Sequence, residues 1–189
     1  MTAESPTVAA FRAHVAQRLH VPAAELDDDT AYIRGKHDRG AALAVMMRTK
    51  DARRVEVRGW ATAAGVVITP SRNLGVLFAE AGVWTQPPGA KLGDLAITLA
   101  EDLVWSYGEG ATVESSGSFA YPALTLAADG SGSLVFFSST ESSDADPEAS
   151  TAGGGGGGGG QSTFQDTVSL TADHKATLTR TPFEAITRR

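Results

Sequence analysis

The chain has 189 residues, a formal net charge of −6, 42% hydrophobic and 20% charged residues, and no cysteine. That length suits one ordinary domain, the composition excludes global disorder, and the acidic balance argues against nucleic acid or an anionic membrane as main partner. Without cysteine there is no disulfide framework, Cys-ligated zinc site or thiol nucleophile.

Ser5-Pro6 is a helix-opening pair, with serine suited to the N-cap and proline to the first helical position. Val8, Phe11, Val15 and Leu19 then recur at helical spacing, and Val21-Pro22 ends the helix. This opening segment has no continuous apolar stretch and is not a secretory signal. Its other reading, an Arg-containing transit peptide, is opposed by Glu4 and the cap. The Ala41–Met47 run is too short to span a bilayer. The expected location is therefore intracellular and cytoplasmic.

Residues 22–40 are polar and turn-rich. Asp27-Asp28-Asp29 lacks the alternating spacing of a calcium loop and reads as a solvated acidic turn. Three apolar runs follow, over 41–49, 53–62 and 65–69, broken by turns at 50–52 and 63–65. Val55 and Val57 alternate with Glu56 and Arg58, so the segment reads as an antiparallel meander. The first run is ambiguous between strand and helix, because Ala, Leu and Met are better helix formers than strand formers.

Thr69-Pro70 is expected to open a second helix with Leu74, Leu77, Phe78 and Ala81 on its apolar face and Gly82 as a left-handed end. Gly75 inside it should cost about 1 kcal/mol relative to alanine. A third helix is marked by Leu92, Leu95, Ala96, Leu99 and Leu103, with Asp94 in its first turn and Gly108 at its end. Glu101 and Asp102 fall off the apolar stripe and read as solubilising residues.

The rest reads as strands: Phe119–Leu126, a turn at Asp129-Gly130-Ser131-Gly132, Leu134–Phe137, Val168–Leu170, and Ala176–Arg180 after a turn at 172–175. Residues 139–163 lose periodicity and contain eight consecutive glycines, Gly153 to Gly160, the composition of a disordered acidic, glycine-rich insertion. The expected fold is α+β, a single domain over 1–189 with a largely antiparallel sheet of about seven strands and three helices.

Common catalytic signatures are missing from the sequence: no Gly-x-Ser-x-Gly elbow, phosphate-loop lysine or His-Glu-x-x-His motif occurs. His14, His20 and His174 read as solvated helix or turn residues. Trp60, Trp84 and Trp105 could line a ligand pocket or anchor an interface, but ordinary core packing is the better account of each. The candidate site is the turn Arg34-Gly35-Lys36-His37-Asp38-Arg39-Gly40. There Arg34, Lys36 and Arg39 could hold an anion or an acidic partner, and His37 beside Asp38 could do acid–base work. The competing reading is an ordinary solvated turn.

Residues 8–47 resemble the first half of a carrier-protein domain, in the helix, the Leu19–Asp29 stretch, and Gly35 and Asp38 before an Ala/Leu/Val run. In that family a serine bearing the phosphopantetheine arm follows the aspartate. Here that position is Arg39, and no carrier function is carried over.

Three functions follow from this reading. The first is a non-catalytic protein–protein interaction module, a subunit or accessory of a larger assembly, with a protein partner and no cofactor. The second is a small-ligand-binding domain with an apolar pocket. The third is an enzyme using His37 with nearby acids.

Overall fold

Helix α1 (Pro6–Leu19) buries Val8, Phe11, Val15 and Ala16, the stripe expected from their spacing. Proline fixes its first turn, but the Ser5 hydroxyl pairs with Thr7 Oγ1 at 2.8 Å instead of capping the backbone. These details come from a computed structural model, which describes residues 5–28, 35–51, 53–69, 73–87, 90–116, 119–141 and 161–183.

A three-residue 3₁₀ turn leads into strand β1 (Leu26–Asp28), followed by β2 (Leu43–Thr49), β3 (Glu56–Thr62) and β4 (Gly65–Val67). They form a four-stranded antiparallel meander in the order β1-β2-β3-β4. The 41–49 run is thus a strand, and its ambiguity has a physical cause. This sheet is covered on both faces, so β2 alternates between two cores instead of between core and solvent. Leu43, Val45 and Met47 pack beneath α1 with Ala61 and Ile68. Ala42, Ala44 and Met46 face the second core with Trp60 and Val67.

Helix α2 (Leu74–Glu80) begins five residues later than Thr69. Its N-cap is Asn73, at φ 68°, and the Thr69 hydroxyl pairs with Ser106 instead. Pro70, Ser71 and Arg72 lie outside the described residues. Leu74, Leu77 and Phe78 are buried as expected, and Gly82 is left-handed at φ 73°. Helix α3 (Gly93–Trp105) buries Ala96, Leu99, Ala100, Leu103 and Val104.

Strands β5 (Thr112–Glu114), β6 (Ala123–Leu126), β7 (Gly132–Glu141), β8 (Gln161–Leu170) and β9 (Ala176–Pro182) make a second, five-stranded antiparallel sheet. Its path is β5-β7-β8-β9, with β6 paired to β7. The α+β class therefore holds, with the strands divided between two sheets. Leu134, Phe136, Val168 and Leu170 face α2 and α3 in the second core. Thr163, Gln165 and Thr167, with Thr177, Thr179 and Thr181 beside them, alternate onto the other face.

Three expectations change here. Phe119–Tyr121 is not strand; Pro122 follows directly, and proline has no N–H for a ladder. β1 and β5 were not anticipated, because three residues carry too little periodicity to register. The 139–163 insertion is narrower than expected, since β7 and β8 pair from Gly132↔Leu170 to Glu141↔Gln161; residues 142–160 lie outside the described residues. The run after Arg39 being strand β2 also removes any four-helix continuation of the carrier resemblance.

Candidate functional site

The turn singled out in the sequence is folded against the last turn of α3. His37 is buried, 7% exposed, and its Nδ1 lies 2.9 Å from Asp102 Oδ1. Its ring stacks on Trp105 at 4.8 Å between centroids, and its carbonyl accepts a hydrogen bond from Trp60 Nε1 at 2.9 Å. Arg39 donates Nη2 to the same Oδ1 at 2.8 Å, and its Nε lies 2.7 Å from Oδ2 as an ion pair without hydrogen-bond geometry. Asp38 accepts from the backbone N–H of Gly35 (3.0 Å) and of Ala44 (2.6 Å), tying the turn to β2. Lys36 is exposed, and Arg34 lies outside the described residues.

Asp102, read from the sequence as solubilising, is instead 0% exposed and is the hub of this knot. The heptad-like stripe marks one face of α3, but the helix shares its core with residues of both sheets. It is packed between two sheets, so a residue off the main stripe still points into protein. Burial pushes the Asp102 carboxyl above the ordinary carboxylate value, and the bonds from His37 and Arg39 oppose that shift. An aspartate on a histidine Nδ1 is the orientation used in acid–base dyads. However, His37 lines neither of the two cavities described below.

A second buried knot sits on the other sheet. Asp166, also 0% exposed, accepts from Tyr107 Oη at 3.1 Å and from the Ser138 hydroxyl, and pairs with Arg180 Nε at 3.0 Å. The Arg180 guanidinium lies 4.2 Å from the ring centroids of both Tyr107 and Phe164. Burial raises the Asp166 and Tyr107 pKa values. Like the first, this cluster directs its charges at one another.

The structure also contains open space. A cavity of about 440 Å³ lies between the 3₁₀ turn Val83–Thr85, the N-terminal end of α3, and the β6–β7 and β8–β9 turns. Val83, Leu92 and Leu126 supply its apolar lining, and Trp84, Asp129 and His174 its polar or aromatic one. Trp84 is fixed from two sides: its Nε1 donates to the Gly130 carbonyl at 3.0 Å, and its ring stacks on His174 at 4.7 Å.

His174 reaches that position because of Gly75. A Cβ at residue 75 would lie 2.4 Å from the His174 carbonyl, so the glycine lets α2 seat directly against the β8–β9 turn. The sequence marked Gly75 only as a helix weakness and His174 as a solvated turn residue; the contact between them has no local signature. A smaller cleft of about 160 Å³ is lined by Arg18, Glu56, Arg58, Thr69, Ser106 and neighbouring residues. Arg58 there is already paired with Glu56 and donates to the Trp105 carbonyl at 3.2 Å.

Among the described residues no group of three or more His, Cys, Asp or Glu is arranged to hold a metal ion, and no helix is long and apolar enough to cross a membrane. Comparison with protein-family models, with curated proteins and with solved structures gave no match to this chain.

Proposed function

We propose that the protein binds a small organic ligand without transforming it, in the cavity beside Trp84. The observation that carries this is a half-open space of about 440 Å³ with a mixed lining, in which apolar side chains stand beside Trp84, Gln86, Asp129 and His174. Ligand sites are characteristically concave, pre-formed and upward of roughly 300 Å³, with a few placed polar groups that fix orientation. The walls are anchored in the fold: Val83 is fully buried, Trp84 is held by a hydrogen bond and a ring stack, and Leu92 and Leu126 pack on the main core.

A protein partner is the second reading. Its support is the cluster of Phe119, Phe137 and Phe183, whose rings lie within 4.9 to 5.7 Å of one another and remain half-buried. The large apolar side chains that are exposed outright, Val55, Ile97 and Tyr121, fall on three different segments. They add no continuous patch of the kind that marks an interface.

Saturation-transfer NMR with a mixed library of aromatic fragments tests the pocket. Ala127 is exposed and lines the cavity, so Ala127→Trp should fill it without entering the core. Fragments that bind the native protein should be lost in this variant, while its circular dichroism and melting temperature stay unchanged. Hits that survive the substitution, or a library with no hits, would remove the reading.

A further inference from the structure

The cavity beside Trp84 is short of free hydrogen-bond donors. The Trp84 indole N–H is engaged by the Gly130 carbonyl, and the Gln86 side-chain amide donates to the Gly82 carbonyl at 3.0 Å. The backbone N–H groups of Ala90, Ala127 and Gly130 are taken by the carbonyls of Pro87, Ser131 and Ala127. The His174 ring, already stacked on Trp84, and the second N–H of the Gln86 amide are the remaining side-chain donors of the described lining. No lysine or arginine is among the described lining residues.

The acceptor side differs. Asp129 stands at the rim, its Oδ1 bonded to the Ser131 backbone N–H at 2.9 Å and to the Ser131 hydroxyl at 2.6 Å. Its side chain is exposed, and no other described residue donates to Oδ2. The bonds from Ser131 hold its carboxyl below the ordinary carboxylate value, so the charge is present at neutral pH. Trp84, the side chain best suited to attract a cation, lies in the same wall.

Resting on the pocket reading above, we propose that the ligand is a small organic cation with an apolar body, its charge placed between the Asp129 carboxylate and the Trp84 indole. An anion would meet a carboxylate and few donors. A neutral ligand would cover Asp129 without pairing it, and a desolvated charge without a partner is costly.

NMR titration that follows the Trp84 indole N–H resonance, assigned with Trp84→Phe, tests this with three probes of similar size: benzyltrimethylammonium, benzyl alcohol and benzoate. The cation should bind about tenfold more tightly than the other two, the scale of a partly desolvated cation–aromatic contact. Asp129→Asn should weaken the cation about three- to fivefold and leave benzyl alcohol unchanged. Equal or tighter binding of benzyl alcohol or benzoate, or a cation affinity indifferent to Asp129→Asn, would overturn the ligand class and leave the pocket standing. If none of the three moves the Trp84 resonance, the pocket reading fails and this proposal fails with it.

Discussion

The two ends of α3 solve opposite problems. At its C-terminal end, Asp102 gathers His37 and Arg39 into a buried knot with Trp105 stacked over it. At its N-terminal end, Leu92 borders a cavity in which Trp84 and His174 stack, and there the exposed Asp129 has one oxygen to which no other described residue donates. The first region is richer in charge and, from sequence, the more obvious functional candidate. Its charges are directed at each other, however: Asp102 is fully buried and its oxygens face His37 and Arg39, so the carboxylate is not presented to solvent. The second region looks bland in sequence but leaves space and an open acceptor. The difference teaches that chemical richness of a segment does not locate a site; what matters is whether the fold leaves those groups unpartnered next to a cavity.

The largest expected effect comes from the knot. Asp102→Ala leaves a buried histidine and a half-buried arginine without their shared partner. Removing one member of a buried ion pair typically costs about 3–5 kcal/mol. Urea unfolding should show a loss of that order, while benzyltrimethylammonium binding at Trp84 stays as in the native protein wherever the variant is folded. A loss under about 1 kcal/mol would place the knot with surface ion pairs and break the comparison.

The same contrast explains what the sequence could and could not reveal. The α+β class, the core faces of α1 and α2, the β2–β3–β4 meander and the β8–β9 hairpin follow from periodicities of two or three to four residues. Asp102 was misplaced because periodicity identifies one buried face, and α3 has two. The pocket was not legible because its parts lie far apart in sequence: Trp84 after α2, Asp129 in one hairpin turn and His174 in another. Nothing local to any of them signals that the others converge there. Within the proposed turn, placements are mixed: His37 and Arg39 point inward to Asp102, Lys36 is exposed, and Arg34 lies outside the described residues.

A middle-sized effect probes how the pocket is held. At an ordinary helix site, Gly→Ala gains about 1 kcal/mol from helix propensity. At Gly75 the sign should reverse, because the new methyl would sit 2.4 Å from the His174 backbone oxygen and 3.4 Å from Lys175 Cα. Backbone cannot yield as a flexible side chain does, and overpacking of this kind costs about 1–3 kcal/mol. Thermal unfolding should show Gly75→Ala destabilised. NMR should also show altered Trp84 and His174 ring signals as the stack is displaced. A stabilised variant with unchanged rings would mean that α2 does not position His174.

The smallest expected effect sharpens the comparison from the charged side. Lys36 is the described cation of the 34–40 turn whose side chain is exposed, while Arg39 beside it is drawn in to Asp102. The Lys36 backbone carbonyl does serve the knot, accepting from Arg39 Nη1 at 3.1 Å, but that bond belongs to the main chain and survives any change of side chain. Lys36→Ala should therefore shift stability by no more than about 0.5 kcal/mol, as exposed positions generally do. If the turn recruits an acidic ligand or partner through its exposed cation, the same substitution should weaken capture of a polyglutamate peptide, an effect that salt suppresses because exposed charges are screened over about 8 Å at physiological ionic strength. Fluorescence polarisation with labelled polyglutamate at low and physiological salt separates the two. Unchanged stability with no salt-dependent binding to lose would leave the turn as a structural clasp on α3, whereas binding lost in Lys36→Ala would make it a second, electrostatic site beside the one at Trp84.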